Sequence, residues 1–325
     1  MCSYKTQTFP FRMAMRKGLG EGCILPIMPL RIIFCGTPEF ALPSLQALHN
    51  DPSFEILQII TQPDKPAGRG KKLTSPPIKE LAQSLGIAVS QPENINRFQV
   101  SGVSFQDCDF LVVVAYGQIL SKEILALPKI ASVNIHASLL PRWRGASPIA
   151  SSILAGDTET GITIQRMVEK LDAGPILAQE RVMIRPRETK ASLSQTLAIL
   201  GAKLLVQTLK APLQEIVQKE SEATYCKKLT REMGTVDPKK MTAEEIDRRV
   251  RALVPWPGVK MLLSSSEAPK GLSREASQEI KLIETSLTPH PDALEIPCAK
   301  QTSLFVLKLQ EPTKRVVTGR EWKKL

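Results

Sequence analysis

The chain reads as an α/β protein: a domain built on a mainly parallel sheet, followed by a smaller domain of short strands compatible with a β-barrel. Three observations carry that reading. Between residues 31 and 209, short apolar β-branched runs alternate with stretches of helical period, as strand-helix-strand units require. The run Phe110 to Ala115 has no polar face, which suits a strand covered on both sides of a parallel sheet. Beyond residue 258 the pattern changes to short alternating runs separated by polar turns. A length of 325 residues with 42% apolar content is enough for two such cores.

Residues 31–34 form a short buried strand, and residues 35–40 turn into a helix reaching about His49, with Ala41, Leu45 and Leu48 on one face. Gly36 lacks the later glycines of a dinucleotide fingerprint, so no NAD is expected. A second strand covers residues 54–60. The stretch from Thr61 to Leu73 then carries Lys65, Arg69, Lys71 and Lys72 against Asp64, and its prolines and glycines predict a long exposed loop without regular structure. Ser75 is placed to cap a helix that ends at Gly86, and Val89 begins a third strand. The strand at residues 110–115 ends in Tyr116-Gly117-Gln118 at its carboxyl end. A further strand carries Asn134 and His136. After it come a helix from Pro148 to Gly156, a strand at 161–168 leading to Asp172, and a half-exposed strand at 176–184 nearer the sheet edge. A helix at 192–209 offers Leu193, Leu197, Leu200, Leu204 and Val206 to its inner side. Residues 206–227 read as a connection. Thr242 and Glu245 form a capping box opening a helix that Pro255-Trp256-Pro257-Gly258 stops, and runs at 259–263, 279–287, 293–297 and 304–310 suggest a small OB-like barrel. Lys308, Lys314, Arg315, Arg320, Lys323 and Lys324 collect at the end with Trp322 among them, as a nucleic-acid surface or a solvated basic tail.

The excess of 43 Lys and Arg over 32 Asp and Glu gives +11, which favours a polyanionic partner without naming it. Six scattered cysteines show neither disulfide framework nor zinc spacing; Cys35 and Cys108 sit in or beside apolar runs and read as small buried hydrophobes in a reducing interior. No apolar run approaches the roughly 18 residues of a membrane span. Residues 1–29 are basic and poor in acids; an over-long start or disordered extension is preferred, an organellar targeting peptide second.

The candidate chemistry lies in the stretch from Val133 to Gly145 and in Leu171-Asp172-Ala173-Gly174. At period two, Asn134 and His136 project to the same side as their strand ends, where open parallel sheets bind ligands. Asn134 supplies an N–H for a developing oxyanion, His136 carries a proton near neutrality, and Asp172 orients the imidazole or accepts a proton through water. The bland alternative makes His136 a satisfied core histidine and Asp172 a turn residue.

The motif Asn134-x-His136-x-Ser138-Leu139-Leu140-Pro141-x-x-Arg144-Gly145, with the later Leu171-Asp172-x-Gly174, resembles the folate-dependent formyltransferases. The cationic string from Asp64 to Leu73 resembles the insertion loop of the branch acting on methionyl-tRNA. The resemblance implies a Rossmann-like formyltransferase domain at 30–206, a linker at 207–228 and an OB-like tRNA-binding domain at 229–325. It implies transfer of a formyl group from 10-formyltetrahydrofolate to the α-amino group of methionyl-initiator tRNA, with Asn134, His136 and Asp172 catalytic and no metal. Tyr116, Gly117, Ser138, Leu139, Leu140 and Pro141 would bind folate, and Lys65, Arg69, Lys71 and Lys72 the tRNA, in a cytoplasmic protein of bacterial type. The alternatives are a formyltransferase acting on a sugar nucleotide or purine precursor and a catalytically inactive RNA-binding module. Ala137, where relatives often carry glycine or proline, is a departure that leaves the chemistry untouched.

Overall fold

The computed structural model describes residues 28–67, 72–97, 104–263, 278–311 and 314–324. The proposed extension before Met28, the cations Arg69 and Lys71, and residues 264–277 lie outside the described residues. The chain opens with β1 (Leu30–Gly36), α1 (Leu42–His49) and β2 (Phe54–Ile60), followed by the short strands β3 (Lys65–Ala67) and β4 (Lys72–Thr74). Next come α2 (Pro77–Ser84), β5 (Val89–Ser90), β6 (Phe110–Val114), α3 (Lys122–Leu125) and β7 (Ala131–His136). The first body closes with β8 (Arg144–Gly145), α4 (Pro148–Ala155), β9 (Glu159–Arg166), β10 (Ile176–Met183) and α5 (Lys190–Lys210).

The main sheet runs β10-β9-β7-β6-β1-β2-β5, parallel from β5 to β7, with β9 and β10 added antiparallel. β6, and β1 from Ile32 to Cys35, are apolar throughout because both faces are covered, whereas β10 at the edge is half-exposed. Period two divides β1: Ile32 and Phe34 join the large core with α1, α2, α4 and α5, while Ile33 and Cys35 face a second core with Phe105, Tyr116, Leu120 and Ile124. β6 divides in the same way, Phe110, Val112 and Val114 on one side and Leu111 and Val113 on the other. Each such side chain taken fully from water contributes about 1.5–3 kcal/mol. Along α5 the buried stripe is Leu197, Gly201, Leu204, Leu205 and Thr208, whereas the expected Leu200 and Val206 are only half-buried. The helix also continues to Lys210, past the expected end of the first domain.

Two local expectations are corrected. The stretch expected to lack regular structure holds two short strands: β3 and β4 pair antiparallel, Lys65 opposite Thr74 and Ala67 opposite Lys72. Prolines sit at hairpin edges without breaking the pairing. Nor does Ser75 cap α2; its hydroxyl reaches Asp64, and Pro76 holds the capping position with no side-chain bond to the helix.

The second body holds β11 (Tyr225–Cys226), which pairs back onto β8, then β12 (Thr235–Val236), α6 (Ala243–Leu253), β13 (Val259–Leu263) and β14 (Gln278–Ser286). β15 (Leu294–Cys298), β16 (Thr302–Gln310), β17 (Val316–Thr318) and α7 (Gly319–Lys324) complete it. Its sheet runs β12-β13-β14-β16-β15, with β17 also on β16; no pair closes it among the described residues. The capping box is present, Glu245 N–H donating to Thr242 Oγ1 and Thr242 N–H to Glu245 Oε2. The basic end is not a free tail. Trp322 is 1% exposed in the core, and Lys308 and Arg320 pair with Glu284 and Asp292. The two bodies share one apolar core where α4 packs on α6, and Arg251 Nη1 donates to the Glu188 carbonyl across the junction at 3.0 Å.

Candidate functional site

β7 delivers Asn134 and His136 between two partners: Asn134 stands opposite Val113 of β6 and Gln165 of β9. Its side-chain Nδ2 donates to the Val113 carbonyl at 3.0 Å, which turns Oδ1 towards Gln165 Nε2 at 3.3 Å. The same Gln165 Nε2 donates to Asp172 Oδ1 at 2.9 Å. Asp172 Oδ2 accepts the Gly145 N–H at 2.8 Å and lies 3.6 Å from His136 Nδ1. His136 Nε2 is 2.9 Å from the Trp143 carbonyl. A carbonyl only accepts, so Nε2 carries the hydrogen and the exchangeable proton position is Nδ1, the nitrogen facing the carboxylate. At 3.6 Å that pair is an ion-pair contact, too long for a hydrogen bond. Asn134, His136 and Asp172 are thus brought together, and Gln165 joins two of them.

Two backbone features seat the carboxylate. Gly145, at φ +120°, approaches β11 so closely that a Cβ would lie 2.2 Å from the Cys226 carbonyl oxygen. A Cβ on Gly174 would lie 1.8 Å from the Arg166 carbonyl oxygen, and Asp172 itself has a φ of 49°, in the left-handed region. The segment expected to be a linker forms part of this seat. Trp143 N–H donates to Thr224 Oγ1 at 2.8 Å, Arg144 N–H to the Thr224 carbonyl, and Thr224 N–H to the Pro141 carbonyl.

The expected folate residues divide into two groups. Ala115 and Gly117, at φ 47° and 91°, expose backbone at the carboxyl end of β6, beside the switch point where β1 lies between β2 and β6. Thr37 Oγ1 donates to the Tyr116 carbonyl at 2.9 Å and ties the two carboxyl-end turns together. Tyr116 points inward; burial pushes its phenol well above the usual range, and its hydroxyl has no partner among the described residues. Gln62 Nε2 is likewise buried and unpartnered beside Gly117. Exposed backbone with the unpartnered Gln62 amide beside it fits a heterocycle rich in donors and acceptors. In the other group, Ser138 Oγ donates to the Arg142 carbonyl at 2.6 Å and Leu140 is buried, so both side chains are used by the fold. Leu139 lies over Gly161, and Pro141 is half-buried.

Of the four expected tRNA contacts, Lys65 is exposed on β3, and Lys72 lies on β4 with its side chain outside the description. Asp64 anchors the hairpin base to Lys79 at 2.7 Å and to Gln91 Nε2 at 2.7 Å; the Gln91 bond first, then Lys79, lowers its pKa. No group of three or more His, Cys, Asp or Glu is placed to hold a metal ion among the described residues.

Sequence reasoning missed Gln165, Gln218 and Thr224 as site-building residues and named Gly145 only as a motif position. Gln165 had a signal, being polar within a largely buried strand. Gln218 had none, and Thr224 only its place in a stretch that resembles the family.

A mainly parallel sheet with this cluster at its carboxyl edge, continued by a second β-rich body, defines a group-transfer enzyme of the formyl transferase class. A family model described as formyl transferase matches residues 30–209, and one described as formyl transferase, C-terminal domain, matches residues 228–324; the chain belongs to this family. Among its relatives, the methionyl-tRNA formyltransferase of Halorhodospira halophila is 45% identical over 243 residues, 74% of this chain and 78% of that protein. That of Methylococcus capsulatus is 39% identical over 309 residues, 90% of this chain and 96% of that protein. Among solved structures, an N-formyltransferase from Helicobacter canadensis in complex with folinic acid and dTDP-3-aminofucose superposes with a TM-score of 0.59. It is 16% identical, covering 85% of this chain and 98% of that one. HypX of Aquifex aeolicus in complex with tetrahydrofolic acid gives 0.56 at 16% identity, covering 90% of this chain and 46% of that one. At such identities these two structures speak for the fold alone.

Proposed function

We propose that the chain transfers a formyl group from 10-formyltetrahydrofolate to the α-amino group of methionyl-initiator tRNA, giving N-formylmethionyl-tRNA for translation initiation. The observation that carries the reading is the cluster of Asn134, His136 and Asp172, the first and last joined through Gln165 and the carboxylate facing His136, in a chain that matches methionyl-tRNA formyltransferases over both bodies. The donor supplies the electrophilic formyl carbon. A free α-amino group has a pKa near ~7.7, so much of the acceptor is nucleophilic at neutral pH without a strong base. Asn134 has a second N–H beyond the one held by Val113 and offers it to the oxygen on which charge develops. His136 holds or releases a proton at Nδ1, the nitrogen facing the Asp172 carboxylate, as a proton moves from the attacking amine towards the departing folate nitrogen.

Residues 30–206 would be the catalytic domain, 207–228 the connection and 229–325 an OB-like tRNA-binding domain. Tyr116, Gly117, Ser138, Leu139, Leu140 and Pro141 would take the folate, Gly117 by its exposed backbone. Lys65, Arg69, Lys71 and Lys72 would meet tRNA phosphates, the hairpin leaving the carboxyl end of β2 on the site's side of the sheet. No helix among the described residues is long and apolar enough to cross a membrane, and action in the bacterial cytoplasm is part of the proposal. The test is a competition: labelled formyl donor is given methionyl-tRNA together with a dTDP-amino sugar and a purine-precursor amine. Label on the tRNA supports the reading; label on a small amine overturns it, and label on none makes the chain an inactive binding module.

A further inference from the structure

Residues 211–227 carry little periodic pattern, yet they bond to the turns that seat Asp172. Ile216 bridges to Ile176 through both backbone groups, Cys226 pairs with Gly145, and between them Gln218 is drawn inward to 7% exposure. Gln218 Oε1 accepts from Arg144 Nε at 3.0 Å. Its Nε2 donates to the Asp172 carbonyl at 2.9 Å and the Gly174 carbonyl at 2.7 Å. Carbonyls only accept and a guanidinium only donates, so these partners fix the amide in one orientation. Arg144, 1% exposed, is steadied in turn by Glu220 at 2.8 Å.

The Asp172 turn needs such support. Its left-handed φ is uncommon for a residue other than glycine, and Gly174 approaches the Arg166 carbonyl so closely that no side chain fits there. Gln218 grips the backbone on both sides of Ala173 without touching the carboxylate, which stays free for Gly145, Gln165 and His136. We propose that Gln218 is a positioning residue for formyl transfer: it holds the 172–174 turn so that Asp172 remains against His136 Nδ1, making the interdomain segment an arm of the active site. The reaction it serves rests on the function proposed above; the contact does not.

Gln218→Glu separates the two halves of this role. The glutamate keeps an oxygen for Arg144 but replaces the donor to both carbonyls with an acceptor. Gln218→Met keeps the length and removes every polar bond. For each folded variant we expect kcat to fall at least ~10-fold, since small misplacements of reacting groups cost that much, with KM for donor and acceptor within ~2-fold of the parent. Hydrogen exchange of the peptide containing Gly145 should accelerate, because the carboxylate accepting its N–H has shifted. Turnover within ~2-fold of the parent, or unchanged Gly145 protection, overturns the proposal. Failure of both variants to fold also overturns it, making Gln218 purely structural. The parent assayed alongside judges the reaction itself: if it formylates no tRNA, the proposed function fails while the exchange comparison still decides the role of Gln218.

Discussion

Asp172→Asn replaces one carboxylate oxygen of the cluster with an amide nitrogen and cannot be accommodated by turning amides. Gly145 N–H stands at one end of a chain of bonds and the Val113 carbonyl at the other, with residue 172, Gln165 and Asn134 between them. The carboxylate accepts from both sides, which is what lets the chain close. An asparagine facing its oxygen to Gly145 presents N–H to Gln165; turning Gln165 then requires turning Asn134, whose oxygen would meet the Val113 carbonyl. One mismatched pair remains wherever it is placed, costing about 1–3 kcal/mol for an unmade buried bond. The charge facing His136 is also lost. At 3.6 Å, Coulomb attraction to an imidazolium is about 1.2 kcal/mol with the dielectric of water and about 4.6 kcal/mol at an effective value of 20. A middle value corresponds to a fall in turnover of at least ~100-fold, in line with losses of general acid-base groups. The assay is single-turnover formylation at saturating donor and methionyl-tRNA, with thermal unfolding in parallel. Turnover within ~3-fold of the parent in a folded Asp172→Asn protein would refute the assigned role of the carboxylate.

Other consequences follow from the same geometry. Replacing Arg69, Lys71 and Lys72 together with alanine removes three candidate phosphate contacts, so methionyl-tRNA turnover should drop at least ~10-fold with a weaker salt dependence while folate binding is retained; filter binding at two salt concentrations checks it. Trp322→Ala empties a fully buried aromatic site and should destabilise the protein by about 3–5 kcal/mol, read by denaturant unfolding. The Glu220 carboxyl is pushed down to about 2, by Lys170 first, then Arg144 and Tyr225. Its contribution to stability is therefore complete above the ordinary carboxylate value of about 4.3 and lost as pH falls towards 2. Melting temperatures of the parent and Glu220→Gln should converge across that window; a difference that stays constant with pH would reject the linkage.

What was legible in the chain depended on how local its cause is. β1 and β6 announced themselves because a strand buried on both faces has no choice but to be apolar throughout. The start of α6 was readable because the two halves of a capping box lie three residues apart. Asn134, His136 and Asp172 were visible as chemically capable residues in a motif. What joins them was not: Gln218 acts 46 residues from Asp172 and Thr224 acts 81 from Trp143, contacts that only the packed fold creates. The β3 and β4 hairpin was hidden by its prolines and glycines, since local propensity argues for a loop while the Asp64 to Lys79 pair anchors its base. Trp322 misled for the opposite reason. Its basic neighbours marked a surface segment, yet the ring turns into the core while Arg320 reaches Asp292.

The most direct test of formyl transfer at this cluster is a single-turnover experiment with radiolabelled 10-formyltetrahydrofolate and methionyl-initiator tRNA, run on the parent and on His136→Ala with binding of both ligands measured. Label should be recovered as N-formylmethionine after mild base releases it from the tRNA. In the variant its formation should be at least ~100-fold slower, with both ligands still bound. Parental rates in His136→Ala, or a parent that binds both ligands and leaves the label on folate, would rule out formyl transfer at this cluster.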